Sequence, residues 1–329
     1  MNPTTKGIVK FAAKILITGG LLLWVFSRIG YTQLVAAVSD TDWLFLPFVW
    51  GLTVLFFWVQ SWRMRLILGE IDCIVTTTGI FQASAVAMLY SLVLGDFIST
   101  GVKWYILKEQ TGKASNVLSA MFYNQASLIV INILIGLLAV LLSGPSKSAA
   151  FPVICLISIT VIVSLCLLLL NKKTGTPINK TVGSLLSPLP DRMRKAGLKV
   201  LGQLEVFQTV GWGFHLRMTA ICLIVILIQI IIYFFAAKAA GIDVPITALA
   251  WQAAVVYLLG RLPISIANLG VREVTLIEFL KVYGIEPSAA LLMSMALFSA
   301  IIFMAAIGAV YQIAWTFGRR PKQEPQSVQ

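Results

Sequence analysis

Six apolar runs, at about 11–29, 44–62, 117–142, 150–170, 218–237 and 288–316, decide what this chain can become. Each holds roughly the 20 residues an α-helix needs to cross the hydrocarbon of a bilayer. Backbone in lipid must pair its own N–H and C=O groups, so the expected fold is all-α and polytopic. Composition agrees, with 59% of residues hydrophobic, 12% charged and a mean hydropathy of +0.92. So little charge cannot cover a soluble chain of 329 residues, which excludes soluble enzymes, coiled coils and disordered tails as descriptions of the whole. The first run follows Lys6 and Lys10 and carries Lys14, as a signal peptide would. The residues after it, Ser27-Arg28-Ile29-Gly30-Tyr31, form no cleavage site, so an uncleaved first helix is expected.

The 25 Lys+Arg against 13 Asp+Glu give a net charge of +12. In a membrane protein such an excess marks cytoplasmic loops, where anionic headgroups attract it, and nucleic acid is not an expected partner. The stretch 171–217 carries Lys172, Lys173, Lys180, Arg192, Arg194, Lys195, Lys199 and Arg217, so it is expected in the cytoplasm. Counting crossings outward also puts Lys6, Lys10, Lys14, Arg63, Arg65, Lys103, Lys108, Lys113, Arg319, Arg320 and Lys322 there, 19 of the 25 basic residues. Both termini are then cytoplasmic, and the expected location is the inner (cytoplasmic) membrane of a bacterial-type cell.

On this count two more apolar segments, 76–94 and 246–262, begin and end on one side of the membrane. The first runs into 95–101 and the second into 262–270, both rich in Gly, Ser or Pro. Two broken or re-entrant helices are expected, one entered from each face, giving about eight membrane segments. The two regions also resemble each other. Phe81-Gln82-Ala83-Ser84 matches Trp251-Gln252-Ala253-Ala254, Tyr90 matches Tyr257, and Gly101-Val102-Lys103 matches Gly270-Val271-Arg272. Gly112, Ser115 and Leu118 match Gly284, Ser288 and Leu291. Three crossings per half is an odd number, so the second copy should lie inverted, as in many secondary transporters. A single transmembrane domain is expected, with halves at about 8–145 and 148–317, a cytoplasmic amphipathic linker at about 171–215 and a disordered tail at 318–329. Along 191–210, Met193, Val200, Leu201, Leu204 and Phe207 recur at helical spacing among basic residues, the pattern of a helix lying on the inner leaflet.

The stretch Leu262-Pro263-Ile264-Ser265 through Leu269-Gly270-Val271-Arg272-Glu273 resembles the motif LP-S-P-G-G-L-G-V-R-E of the lysylphosphatidylglycerol synthase transmembrane-region family, also called flippase-like integral membrane proteins. Ile266-Ala267-Asn268 replaces its middle P-G-G. The family's first motif, approximately P-G-R-L-G-E-V-V-R-A-Y-L-L, is matched less well by 95–107, where Lys103 and Tyr105 keep a basic residue and a tyrosine while Thr100 stands at a glutamate position. Asn124-Gln125 stands at a Glu-Arg pair. The resemblance implies lipid translocation, without the soluble aminoacyltransferase domain that some members carry, and therefore no synthesis of lysyl-lipid.

Ionisable residues near the helix breaks are the candidate substrate-binding groups, because a charge in hydrocarbon costs roughly 2.5–3.5 kcal/mol on insertion scales. They are Arg272, Lys103, Glu273, Arg261 and Asp96. Arg272 is the first candidate for a phosphate, as guanidinium forks match phosphate oxygens, with pairing to Glu273 or Glu278 as the alternative. Lys103 would offer a second cation, or else snorkel to the cytoplasmic lipids. Glu273 would gate by pairing with Arg272, or stabilise a first helical turn. Asn268, Ser265, Ser99 and Thr100 would cap the breaks or bond a headgroup. Gln82, Gln252, Asn124 and Gln125 are expected to join helices, and Trp24, Trp43, Trp62, Trp104, Trp251 and Trp315 to lie at the membrane interface. Dispersed cysteines and a single His215 suggest neither disulfides nor metal. With no phosphate-binding loop, neither ATP hydrolysis nor any cofactor is expected.

The expected activity is passage of an anionic lipid or lipid-linked headgroup, phospholipid or polyprenyl phosphate, between leaflets, without enzymatic chemistry. The alternatives are an integral-membrane transferase acting on a lipid phosphate, or a non-transporting partner of a glycosyltransferase or lipid synthase.

Overall fold

The structure, a computed structural model, describes residues 42–143, 150–170, 202, 206–261 and 269–317. The expected helix at 11–29, most of the basic linker, Ser265, Asn268 and the tail lie outside the described residues. After one 3-10 turn at Trp43–Phe45 come α1 (Leu46–Gly69), α2 (Thr77–Leu94), α3 (Asp96–Thr111), α4 (Ala114–Ser143) and α5 (Ala150–Leu170). The second half continues with α6 (Trp212–Ala239), α7 (Ile246–Leu259), α8 (Val271–Lys281) and α9 (Pro287–Phe317). Every regular element among the described residues is helical. Four stretches, Trp43–Gly69, Ala114–Ser143, Trp212–Ala239 and Pro287–Phe317, are long and apolar enough to cross a membrane. They contain four of the six runs read from the sequence, and α5 coincides with a fifth.

Lipid tails are as apolar as leucine, so close packing rather than escape from water holds such helices together. α1 and α6 run antiparallel through the centre. Asp42 N–H donates to the Ala239 carbonyl at 3.0 Å at one end, Phe48 stacks on Phe235 at 5.2 Å, and Met64 shares a cluster with Met218 at the other. Around this pair the halves exchange helices: α2 packs on α9, and α7 on α4. Glycine makes both approaches possible. A Cβ on Gly308 of α9 would stand 2.0 Å from the Ala85 carbonyl oxygen of α2, and one on Gly136 of α4 would stand 2.8 Å from Ala254 Cβ of α7.

After the break that ends α2, Asp96–Thr111 forms α3, folded back on α2 and packed against α4. Two expectations need correction. Arg63 is not in a cytoplasmic loop. Ile67 and Leu68 continue the apolar pattern beyond it, α1 extends to Gly69, and Arg63 is fully buried. Phe207 does not lie on lipid; it is buried between Tyr123, at a ring distance of 4.3 Å, and Phe214, so the end of the linker docks on the helices themselves.

Candidate functional site

Each broken unit is made by a glycine with positive φ followed by an acidic first turn. Gly95, at φ 87° and ψ 165°, separates α2 from α3 in a conformation essentially restricted to glycine. Asp96 opens α3 and accepts a hydrogen bond from the Ser91 hydroxyl across the break. A carboxylate there complements the helix dipole. Gly270, at φ 83°, precedes α8, and its N–H donates to Glu273 Oε2 at 2.7 Å. Gly112 and Gly284, at φ 69° and 74°, follow the ends of α3 and α8. Thr100 does not cap the first break: its hydroxyl donates to the Asp96 carbonyl within α3 at 2.9 Å, and no side-chain cap is made at Gly95. Gly101, aligned with Gly270 by sequence, lies inside α3, so the break falls at Gly95 instead.

Arg272 is closed into the protein. It is 4% exposed, its Nη2 donates to Glu273 Oε1 at 2.6 Å, and its Nε donates to the Ser294 hydroxyl at 2.7 Å. Ser294 completes the triangle by donating to Glu273 Oε1 at 2.8 Å, while the guanidinium carbon lies 5.3 Å from the centre of the Phe298 ring. Glu273 thus both caps α8 and neutralises Arg272, fastening α8 to α9. Glu278, the other partner considered for Arg272, is exposed.

Lys103 and Arg261 are arranged differently. Lys103 is half-buried on α3, within electrostatic reach of Arg261, which follows α7 at the second break. One basic residue from each broken unit is therefore within electrostatic reach of the other. Arg261 covers Tyr257, its guanidinium 4.5 Å from the ring centre, and the Tyr257 hydroxyl accepts from Gln125 Nε2 of α4 at 3.2 Å. The ion pairs among the described residues are Lys238–Asp243 and Arg272–Glu273, so neither Lys103 nor Arg261 has a carboxylate there. Beside α3 a groove of about 460 Å³ opens between α2, α3 and α9, walled by Tyr90, Ile98, Val102, Tyr105, Gln312 and Trp315.

Arg63 is a site residue that the sequence reading missed. Its Nη1 donates to Asn124 Oδ1 at 2.7 Å and to the Asn124 carbonyl at 3.3 Å, and its Nη2 donates to the Ser127 hydroxyl. It is also within electrostatic reach of Tyr257. The available signal was an arginine between apolar Met64, Ile67 and Leu68 on one helix, with Asn124, Gln125 and Ser127 inside another apolar run. Asn124 and Gln125 do join helices as expected. Gln252 does not: it is fully buried on α7, and neither its Nε2 nor its Oε1 has a partner among the described residues. Trp251 is buried within the protein, its Nε1 donating to the Tyr283 hydroxyl at 3.3 Å.

No curated protein and no solved structure matches the chain. A family model described as Lysylphosphatidylglycerol synthase TM region matches residues 11–311, nearly the whole chain, including both broken units and the helices they pack against. A multi-pass helical membrane protein carrying that match belongs to the lysylphosphatidylglycerol synthase transmembrane-region family.

Proposed function

We propose that the protein moves an anionic lipid, or a lipid-linked phosphate headgroup, between the two leaflets of the cytoplasmic membrane. What supports this reading is that Lys103 and Arg261, one from each broken unit, lie within electrostatic reach of each other and neither has an ion-pair partner among the described residues. A charged headgroup cannot cross hydrocarbon unaided, and a polar path between helices removes most of that cost. In this reading the headgroup passes between the cations, while acyl or prenyl tails stay in lipid along the apolar groove beside α3, where Ile98 and Tyr105 are exposed.

The reciprocal packing of α2 on α9 and α7 on α4, each across a glycine, supports two halves related by inversion. In that arrangement the broken units enter from opposite faces, and a rocking of one half against the other would expose the path to each leaflet in turn. The protein's role is transport, with no chemical change to the lipid.

The test is reconstitution of the purified full chain in vesicles carrying a fluorescent anionic phospholipid in one leaflet. Transfer to the other leaflet should be faster than in protein-free vesicles and slower in Lys103→Gln and Arg261→Gln proteins inserted to the same density. Equal rates with and without protein would overturn the reading, and chemical conversion of the lipid would replace it with a transferase.

A further inference from the structure

Arg63 joins Arg261 near Tyr257, because Gln125, which donates to the Tyr257 hydroxyl, is the chain neighbour of Asn124, which accepts from Arg63. Arg261 lies over the Tyr257 ring, Lys103 is in electrostatic reach of Arg261, and Arg63 is in reach of Tyr257. None of the three has an ion-pair partner among the described residues. Arg63 is the most demanding, since at 0% exposed its charge is met, among the described residues, only by amide, carbonyl and hydroxyl oxygens, and its Nε has no partner there. An arginine buried without a counter-ion is costly, and proteins normally pair or expose such a group.

The unused hydrogen-bonding capacity around Tyr257 is of one kind. The Tyr257 hydroxyl accepts from Gln125, which leaves its own proton to donate, and no acceptor for it lies among the described residues. Arg63 Nε is a buried donor without an acceptor among the described residues, and neither Lys103 nor Arg261 has an ion-pair partner there. Donors with net positive charge suit an oxyanion. A zwitterionic headgroup would bring its own cation into the cluster, and a single negative charge would leave most of the excess uncompensated.

We infer that Arg63, Lys103, Arg261 and Tyr257 form a binding site for a phosphate ester bearing at least two negative charges, a phosphomonoester or diphosphate rather than a zwitterionic phosphodiester. Arg272 is not part of it, because Glu273 already neutralises its charge and Ser294 takes its Nε hydrogen bond. The site gives a chemical class to the cargo of the transport reading and rests on that reading only for the ligand's route. It assigns Arg63 a binding role that its place in the sequence does not suggest.

The experiment uses the full chain in detergent micelles and measures affinity for dihexanoyl phosphatidic acid, dihexanoyl phosphatidylcholine and inorganic pyrophosphate. Phosphatidic acid should bind about tenfold or more tightly than phosphatidylcholine, and Lys103→Gln and Arg261→Gln should each weaken it by about tenfold. The same substitutions should leave the thermal midpoint of the ligand-free protein unchanged or raised, because they relieve repulsion, whereas purely structural cations would lower it. Asn124→Asp, which gives Arg63 an internal counter-ion without deleting it, should also weaken phosphatidic acid binding. Pyrophosphate competing with phosphatidic acid would support a site reached from water, and phosphatidic acid binding alone would support one reached from lipid. Equal affinity for the two lipids, or binding indifferent to all three substitutions, would overturn the inference. Vesicles that still pass anionic lipid after such a result would leave the transport reading standing, while selective binding without passage would sink transport and keep the site.

Discussion

Arg63 of α1 and Asn124 of α4 meet through a 2.7 Å hydrogen bond that brings a full positive charge against a neutral amide. The contact ties a central helix of the first half to the helix that carries Gln125 and, through it, Tyr257 at the second break. Stability and charge are therefore set against each other at one point.

Asn124→Asp should raise the thermal midpoint of the ligand-free protein, because it supplies the missing carboxylate. Asn124→Leu should lower stability by about 1.5–3 kcal/mol, the worth of a hydrogen bond to a charged group, as read by thermal unfolding in detergent. A loss with both substitutions would mean that shape, not charge, governs this contact.

On α8 the charge of Arg272 is balanced by Glu273, so the expected response has the opposite sense. Glu273→Ala strands Arg272 at 4% exposure and also frees the Gly270 N–H, at a cost of about 3–5 kcal/mol. Arg272→Met combined with Glu273→Ala should cost less than Glu273→Ala alone. Unfolding curves of the single and double variants compare the two directly.

The helix exchange rests on two glycines of unequal tolerance. Gly308→Ala drives a methyl to within 2.0 Å of the Ala85 carbonyl oxygen, which is backbone and cannot turn aside. A loss of about 1–3 kcal/mol or more is expected. Gly136→Ala meets only the Ala254 methyl at 2.8 Å, so the loss should be smaller and largely recovered by adding Ala254→Gly.

Inversion of the halves is checked by sidedness. Lys113, between α3 and α4, and Glu286, between α8 and α9, are both exposed at corresponding turns. Single cysteines placed there in a cysteine-free background should react with a membrane-impermeant maleimide from opposite compartments, Lys113→Cys from the cytoplasm and Glu286→Cys from outside. Labelling of both from one side would rule out the inverted arrangement.

Cys73, in the turn after α1, is 2% exposed, and burial pushes its thiol above the ordinary range, with the nearby Lys113 charge opposing that rise. A raised value means less thiolate at neutral pH. Alkylation of Cys73 should be slow in the folded protein, quicken as pH rises, and become slower still in Lys113→Ala. Rapid labelling at neutral pH would show that this turn opens readily.

Apolar run length determined which segments become long helices, because a bilayer demands both length and internal backbone pairing; the runs at 44–62, 117–142, 150–170, 218–237 and 288–316 all lie within helices. Sequence also located the interrupted segments and carried the family motif through Gly270, Arg272 and Glu273. It did not separate the charges by role. Arg272 and Lys103 occupy matched positions in the sequence repeat, yet one is neutralised by Glu273 and bonded to Ser294 while the other has no ion-pair partner among the described residues. That difference arises from what α9 and α7 bring alongside, residues far away in the chain. The place of Arg63 is not legible in the sequence for the same reason: only the packing of α1 against α4 supplies the amide and hydroxyl oxygens that let a charge remain inside. A linear pattern records which residues can enter a membrane, whereas partners drawn from distant helices decide which charges stay uncompensated once there.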